Sequence, residues 1–107
     1  MDSVTAVSGS GPAYVFLLAE AMEAAGIAQG LPADAARTLV VQTLLGASRM
    51  LDEAGESPAE LRRRVTSPNG TTQAAIESFQ AGGFEVLVDN ALRAAQVRGQ
   101  ELSAAND

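Results

Sequence analysis

Between Val65 and Gln73 the chain reads Val-Thr-Ser-Pro-Asn-Gly-Thr-Thr-Gln. No other stretch gathers so many groups able to hold a small polar ligand. Three Thr hydroxyls and one Ser hydroxyl flank a Pro-Asn-Gly turn, directly ahead of a segment predicted to be helical. A helix starting there leaves its first backbone N–H groups without intrahelical partners and turns its positive end toward the loop. An anion could be held by those N–H groups, with the hydroxyls adding directional bonds. The same residue types are also common helix caps, and local pattern by itself favours capping.

A second candidate is Ser8-Gly9-Ser10-Gly11-Pro12. It is not a dinucleotide fingerprint, because the third glycine is missing at the required spacing and no strand precedes it. It reads either as a flexible linker feeding a Pro-started helix or as a place where bare backbone approaches a ligand, and the linker is favoured on pattern. Arg62-Arg63-Arg64 is the only basic cluster. It falls in the last turn of a short helix, where cations meet the negative end of the dipole, so a solvated helix end accounts for it. Glu20, Glu23, Asp52, Glu53 and Glu56 fall mostly on polar helix faces and read as surface.

Composition narrows the chemistry further. The chain has 107 residues with no Cys, His or Trp, and its seven basic residues are all Arg. Thiol nucleophiles, Ser-His pairs, Cys or His metal sites and Schiff-base lysines are therefore excluded, and no metal site is expected. A net charge of −6 opposes nonspecific nucleic-acid binding, which needs clustered cations. The longest apolar runs, around residues 14–19 and 44–47, fall far short of the roughly 20 residues needed to span a bilayer. No basic-then-apolar leader opens the sequence, so no membrane association and a cytoplasmic location are expected.

The elements that must position these residues read as five helices, with no alternating strand pattern between them. The first opens at Ser10-Gly11-Pro12 and should stop near Gly26, with Gly26 as the left-handed terminator and Ile27 packing back onto the last turn. The second is predicted from about Pro32 to Ala54, where Gly55 ends it, with Asp34 in its first turn. Ser57-Pro58 starts a third, with Ser57 as cap and Glu60 completing a capping box. A loop through Thr66–Thr72 leads to a fourth that ends near Gly82-Gly83, and the fifth begins at about Phe84. Phe84, Leu87, Val88, Ala91, Leu92, Ala95 and Leu102 give this last helix one apolar stripe.

Five helices of this size are single-domain in scale, with an aliphatic core, since aromatics make up only 4% of the chain. Tyr14, Val15, Phe16, Leu17 and Leu18 are consecutive and cannot all face one side of a helix. Either one helix is wrapped by the others in a monomer, or the apolar faces continue into a homo-oligomer interface; the pattern mildly favours the oligomer.

With these segments in place, the order of motifs resembles the C-terminal domain of pyrroline-5-carboxylate reductase, over essentially the whole chain. Residues 2–14 (DSVTAVSGSGPAY), Leu61 through Ile76 (LRRRVTSPNGTTQAAI), Gly82-Gly83-Phe84 and the stretch from Arg98 to Leu102 carry the resemblance. One departure is Asn69, where many members carry a second glycine; Asn also accepts a left-handed φ.

The resemblance implies an all-α domain of the phosphogluconate dehydrogenase C-terminal-like kind, whose five helices interlock with a second copy. It implies a preceding Rossmann domain that holds most of the NADPH or NADH and is absent from these 107 residues, so the chain alone should bind no cofactor and be inactive. It implies reduction of the ring C=N of 1-pyrroline-5-carboxylate to L-proline, by dimers that assemble into decamers in some members. Carried onto this sequence, Val65, Ser67, Gly70, Thr71 and Thr72 form the substrate clamp. Ser67 and the Thr71 and Thr72 N–H groups would hold the carboxylate, and the Thr72 hydroxyl would bond the ring nitrogen as the catalytic contact. Gly11 and Pro12 would lie near the nicotinamide. The competing reading is a non-catalytic helical homo-oligomerisation module. A hydroxy-acid dehydrogenase of related build is opposed by the absence of lysine.

Overall fold

The computed structural model of the chain describes residues 2–106, and among them there is no strand. The helices are α1 (Asp2–Val4), α2 (Gly11–Ala28), α3 (Ala33–Glu53), α4 (Pro58–Arg64), α5 (Thr71–Ala81) and α6 (Phe84–Asn106), with a π-helical stretch, Thr5–Gly9, between α1 and α2. All five predicted helices are present as α2 to α6. No described helix is long and apolar enough to cross a membrane.

The π-helical stretch replaces the linker expected at Ser8-Gly9. The Ser10 N–H reaches the Thr5 carbonyl at 2.8 Å, five residues back, and the Ser8 hydroxyl donates to the Val4 carbonyl at 2.9 Å. Five residues wound in this way carry no side-chain period that a pattern of apolar residues could reveal.

Two compact units make up the fold. One consists of residues 2–15 with 74–106. Here the N-terminal segment runs along α6, where the Gln96 amide donates to the Ser3 hydroxyl at 3.1 Å. Ala6 is buried, and the Phe79 and Phe84 rings meet edge to face, 5.4 Å apart, across the Gly82-Gly83 turn.

The other unit, residues 16–73, holds the rest of α2, then α3, α4 and the loop that follows. Its buried side chains are Ala36, Val40 and Leu61. Glu23 on α2 pairs with Arg37 on α3 at 3.5 Å. The end of α2 corrects the expected stop at Gly26. The helix continues to Ala28, and the left-handed residue is Gly30, at φ 109°. The Leu31 N–H bonds the Gly26 carbonyl at 3.1 Å and the Gly30 N–H bonds the Ile27 carbonyl at 3.0 Å, which together make a Schellman motif. Gly26 is there for room: a Cβ on it would stand 3.3 Å from Leu31 Cδ1 and 3.7 Å from Ala36 Cβ.

The Ser57 cap forms as expected, its hydroxyl accepting the Glu60 N–H at 3.1 Å. The capping box is only half made, because the Glu60 carboxylate turns to Arg63, at 2.6 Å, and Arg64, at 3.6 Å. Arg64 also pairs with Glu56 at 3.0 Å. The triple Arg therefore ends a short helix and is largely tied up in ion pairs.

Much of the apolar surface stays outside. No residue of α2 or α5 is buried, and Phe16 and Leu17 are 69% and 66% exposed. On α6, Phe84, Leu87, Val88 and Leu102 of the predicted stripe are exposed as well. These apolar side chains are left without cover within the chain.

Candidate functional site

The loop between α4 and α5 is built from its ends inward. At the α4 end, the Val65 N–H bonds the Arg62 carbonyl at 3.3 Å, and the Thr66 N–H bonds that of Arg63 at 3.1 Å. The Thr66 hydroxyl donates back to the Arg62 carbonyl at 2.5 Å. Thr66 thus uses its polar atoms to anchor the loop to the helix it leaves.

Ser67-Pro68-Asn69-Gly70 is a tight turn, closed by the Gly70 N–H on the Ser67 carbonyl at 3.1 Å. Proline second and a positive φ third, 61° at Asn69, is the type II arrangement. Asn tolerates that conformation better than any residue but glycine, as expected for this position. The glycine after it is required by space, since a Cβ at Gly70 would lie 3.2 Å from the Ser67 carbonyl oxygen.

α5 begins immediately, at Thr71. Its first N–H groups, those of Thr71 and Thr72 among them, have no carbonyl one turn back within the helix, and they sit at the positive end of an 11-residue dipole. The hydroxyls of Ser67, Thr71 and Thr72 make no hydrogen bond among the described residues. Thr72 and Gly70 are half-buried, whereas Ser67 and Thr71 are exposed. Val65, Ser67, Gly70, Thr71 and Thr72 are all brought into one short loop and helix start.

One member of the loop escaped the sequence reading in its role. The Gln73 side-chain oxygen accepts the Asn69 N–H at 2.5 Å. The available signal was spacing: Gln73 is third after Gly70, where a capping box places Glu or Gln to reach back.

Gly11 and Pro12 open α2, in the unit formed by residues 2–15 and 74–106, whereas the 65–73 loop belongs to the other unit, but for its helical continuation. A Cβ at Gly11 would meet nothing within 4 Å. Among the described residues, no three His, Cys, Asp or Glu side chains are grouped to hold a metal ion. The Glu60 carboxyl is held below its ordinary range by the Arg63 hydrogen bond and charge. Glu60 is a half-buried side chain on α4 and is not one of the loop's ligand groups.

The chain is similar to known proteins over nearly its whole length. The sequence profile of the pyrroline-5-carboxylate reductase dimerisation family matches residues 1–102. The pyrroline-5-carboxylate reductase of Pseudomonas aeruginosa is 61% identical over 103 residues, covering 96% of this chain and 38% of that protein. A solved pyrroline-5-carboxylate reductase from Coxiella burnetii superposes with a TM-score of 0.91 at 46% identity, over 94% of this chain and 37% of that one. The Plasmodium falciparum pyrroline carboxylate reductase, solved with NADP bound, superposes with a TM-score of 0.88 at 36% identity, over 92% of this chain and 40% of that one. The chain thus spans about two-fifths of the length of these proteins.

Proposed function

This chain belongs to the pyrroline-5-carboxylate reductase family, through the domain by which that family dimerises, and on that premise we propose that it is the helical part of a reductase converting 1-pyrroline-5-carboxylate to L-proline. The observation that carries the reading is the set of hydroxyls and N–H groups at Ser67, Thr71 and Thr72, held at the positive end of α5 by a turn that needs a left-handed φ at Asn69 and a glycine at Gly70.

In this reading the substrate carboxylate is bound by the Thr71 and Thr72 N–H groups and the Ser67 hydroxyl. The α5 dipole favours its charge. Gly70 keeps Ser67 close to the helix start, and Val65 supplies an apolar edge. The Thr72 hydroxyl bonds the ring nitrogen and stays with it as the bonding there changes, which makes Thr72 the catalytic contact. NADPH or NADH, bound mainly by a Rossmann domain outside this chain, supplies the hydride for the ring carbon. Gly11 and Pro12 are proposed to lie against the nicotinamide ring. The work of these residues is positioning, which by itself removes a large part of a bimolecular barrier. No side chain of the clamp titrates near neutrality, so the ring nitrogen takes its proton before binding or from water.

Dimerisation follows from the same surface. A large apolar side chain taken out of water contributes about 1.5–3 kcal/mol, and α2 presents Val15, Phe16, Leu17 and Leu18 in succession, all exposed. A groove of about 300 Å³ between α3 and α4, lined by Met50, Leu51, Leu61 and Val65, is open as well. A second copy with interlocking helices covers such faces, and dimers of this kind can assemble further into decamers. The reading carries with it a cytoplasmic enzyme of proline biosynthesis.

The test is a fusion of this chain behind the N-terminal part of the Pseudomonas aeruginosa reductase. Thr72→Ala in that protein removes a hydrogen bond to a polarised or charged nitrogen, worth roughly 1.5–3 kcal/mol, and should lower kcat/KM about ten- to a hundredfold. A Thr72→Ala fusion as active as its parent would sink the role given to Thr72.

A further inference from the structure

The Asn69 peptide is held from two sides. Its φ is positive, a conformation that side chains resist, and its N–H is bonded to the Gln73 side chain at 2.5 Å. One residue on, the Gly70 N–H closes the turn on Ser67. Gln73 itself lies in the first turn of α5, half-buried, and reaches back over the peptides that lead into Thr71 and Thr72. Rotation about the Asn69 backbone would swing every group downstream, because the N–H directions of Thr71 and Thr72 follow from that peptide plane. A glycine in place of Asn69 would take the left-handed conformation without strain; an asparagine there benefits from a bond that exists only while the turn is formed.

We propose that Gln73 is a positioning residue for the substrate clamp. It locks Asn69 in the left-handed conformation, so that the Thr71 and Thr72 N–H groups and the Thr72 hydroxyl converge on one ligand. The inference rests on the clamp reading above. Gln73 is not one of the clamp's ligand groups, and its effect on the clamp runs through the Asn69 N–H. Losing it should loosen the loop before substrate arrives, which weakens the binding of substrate and transition state alike and so appears in KM rather than kcat.

The experiment uses the same fusion with Gln73→Met, which keeps length and removes the acceptor, and Gln73→Glu, which keeps an acceptor. Amide exchange at Asn69 should quicken about five- to tenfold in Gln73→Met and stay slow in Gln73→Glu. Gln73→Met should raise KM for pyrroline-5-carboxylate about three- to tenfold, with kcat within about twofold of the parent. Unchanged Asn69 exchange in Gln73→Met overturns the proposal. So does an unchanged KM in Gln73→Met when Thr72→Ala is impaired, and in that case the clamp reading survives. A Thr72→Ala fusion with parental kinetics removes the clamp reading and this inference together.

Discussion

The Tyr14 hydroxyl donates to the Ala6 carbonyl at 2.7 Å, joining the first turn of α2 to the π-helical stretch before it. Ala6 is 2% exposed, so water has little access to the carbonyl that Tyr14 reaches. The bond ties together the two sides of Ser10-Gly11-Pro12, the segment proposed to face the nicotinamide.

Tyr14→Phe keeps the ring and removes only this bond. It should cost about 1–2 kcal/mol, because a poorly solvated acceptor loses its donor. For a domain of this length that is a fall in Tm of roughly 4–8 °C per kcal/mol, read at fixed protein concentration because self-association shifts Tm. An unchanged Tm would mean that the bond is replaced by water without loss.

Gly26 and Gly30 should respond to alanine in opposite ways from those their order in the sequence suggests. At Gly30, with φ 109°, alanine is strained wherever its side chain goes, and Gly30→Ala should destabilise by about 1–2 kcal/mol. At Gly26, alanine gains helix propensity of about 1 kcal/mol but forces Leu31 Cδ1 to yield from 3.3 Å. That atom ends a flexible side chain, so Gly26→Ala should fall within about 0.5 kcal/mol of the parent. Denaturant unfolding of both variants decides it: a larger loss at Gly26 than at Gly30 would show that close packing, not backbone conformation, limits this corner.

These two glycines mark how far the chain could be read without its structure. Stops at Gly55 and Gly83 and the Ser57 cap depend on local chemistry within four residues and were legible, whereas the loop expected to run through Thr72 gives way to helix already at Thr71. Whether a glycine supplies a left-handed φ or merely room depends on what packs against it. Leu31 and Ala36 decide that for Gly26, and they come from beyond the helix end. The π-helical stretch was hidden because a five-residue i to i+5 winding has no apolar period. In the 65–73 loop the ligand groups were legible by type, but the Gln73 bond to Asn69 was not, since it depends on the turn already being formed.

Acid should weaken α4 through Glu60. Its carboxyl is held below the ordinary value of 4.5 by the hydrogen bond and charge of Arg63, with Arg64 adding to them. A depressed folded pKa means that the contribution is fully present above the unfolded value and lost as pH falls through the folded one. The parent should therefore lose more Tm than Glu60→Gln between about pH 5 and about pH 3. The side chain is partly open to water, so the difference should be small and should shrink in added salt. A difference that persists undiminished in salt would point to a structural role for Glu60 beyond its charge.

The last prediction concerns the solvent-facing stripe of α6. Leu87 is 64% exposed in the single chain, and Phe84, Val88 and Leu102 lie exposed on the same face. A charged residue at Leu87 meets water there, so Leu87→Glu should leave the fold of an isolated chain within about 0.5 kcal/mol of the parent. At a dimer interface the same carboxylate would be buried without a partner, at a cost of several kcal/mol, which is a hundredfold or more in dimer affinity. Sedimentation velocity at micromolar concentration should then show the parent as a dimer and Leu87→Glu as a helical monomer, with far-UV circular dichroism reporting that the helices persist. If Leu87→Glu stays dimeric, the α6 stripe lies outside the interface, and the exposed faces of α2 and α3 must carry the association instead.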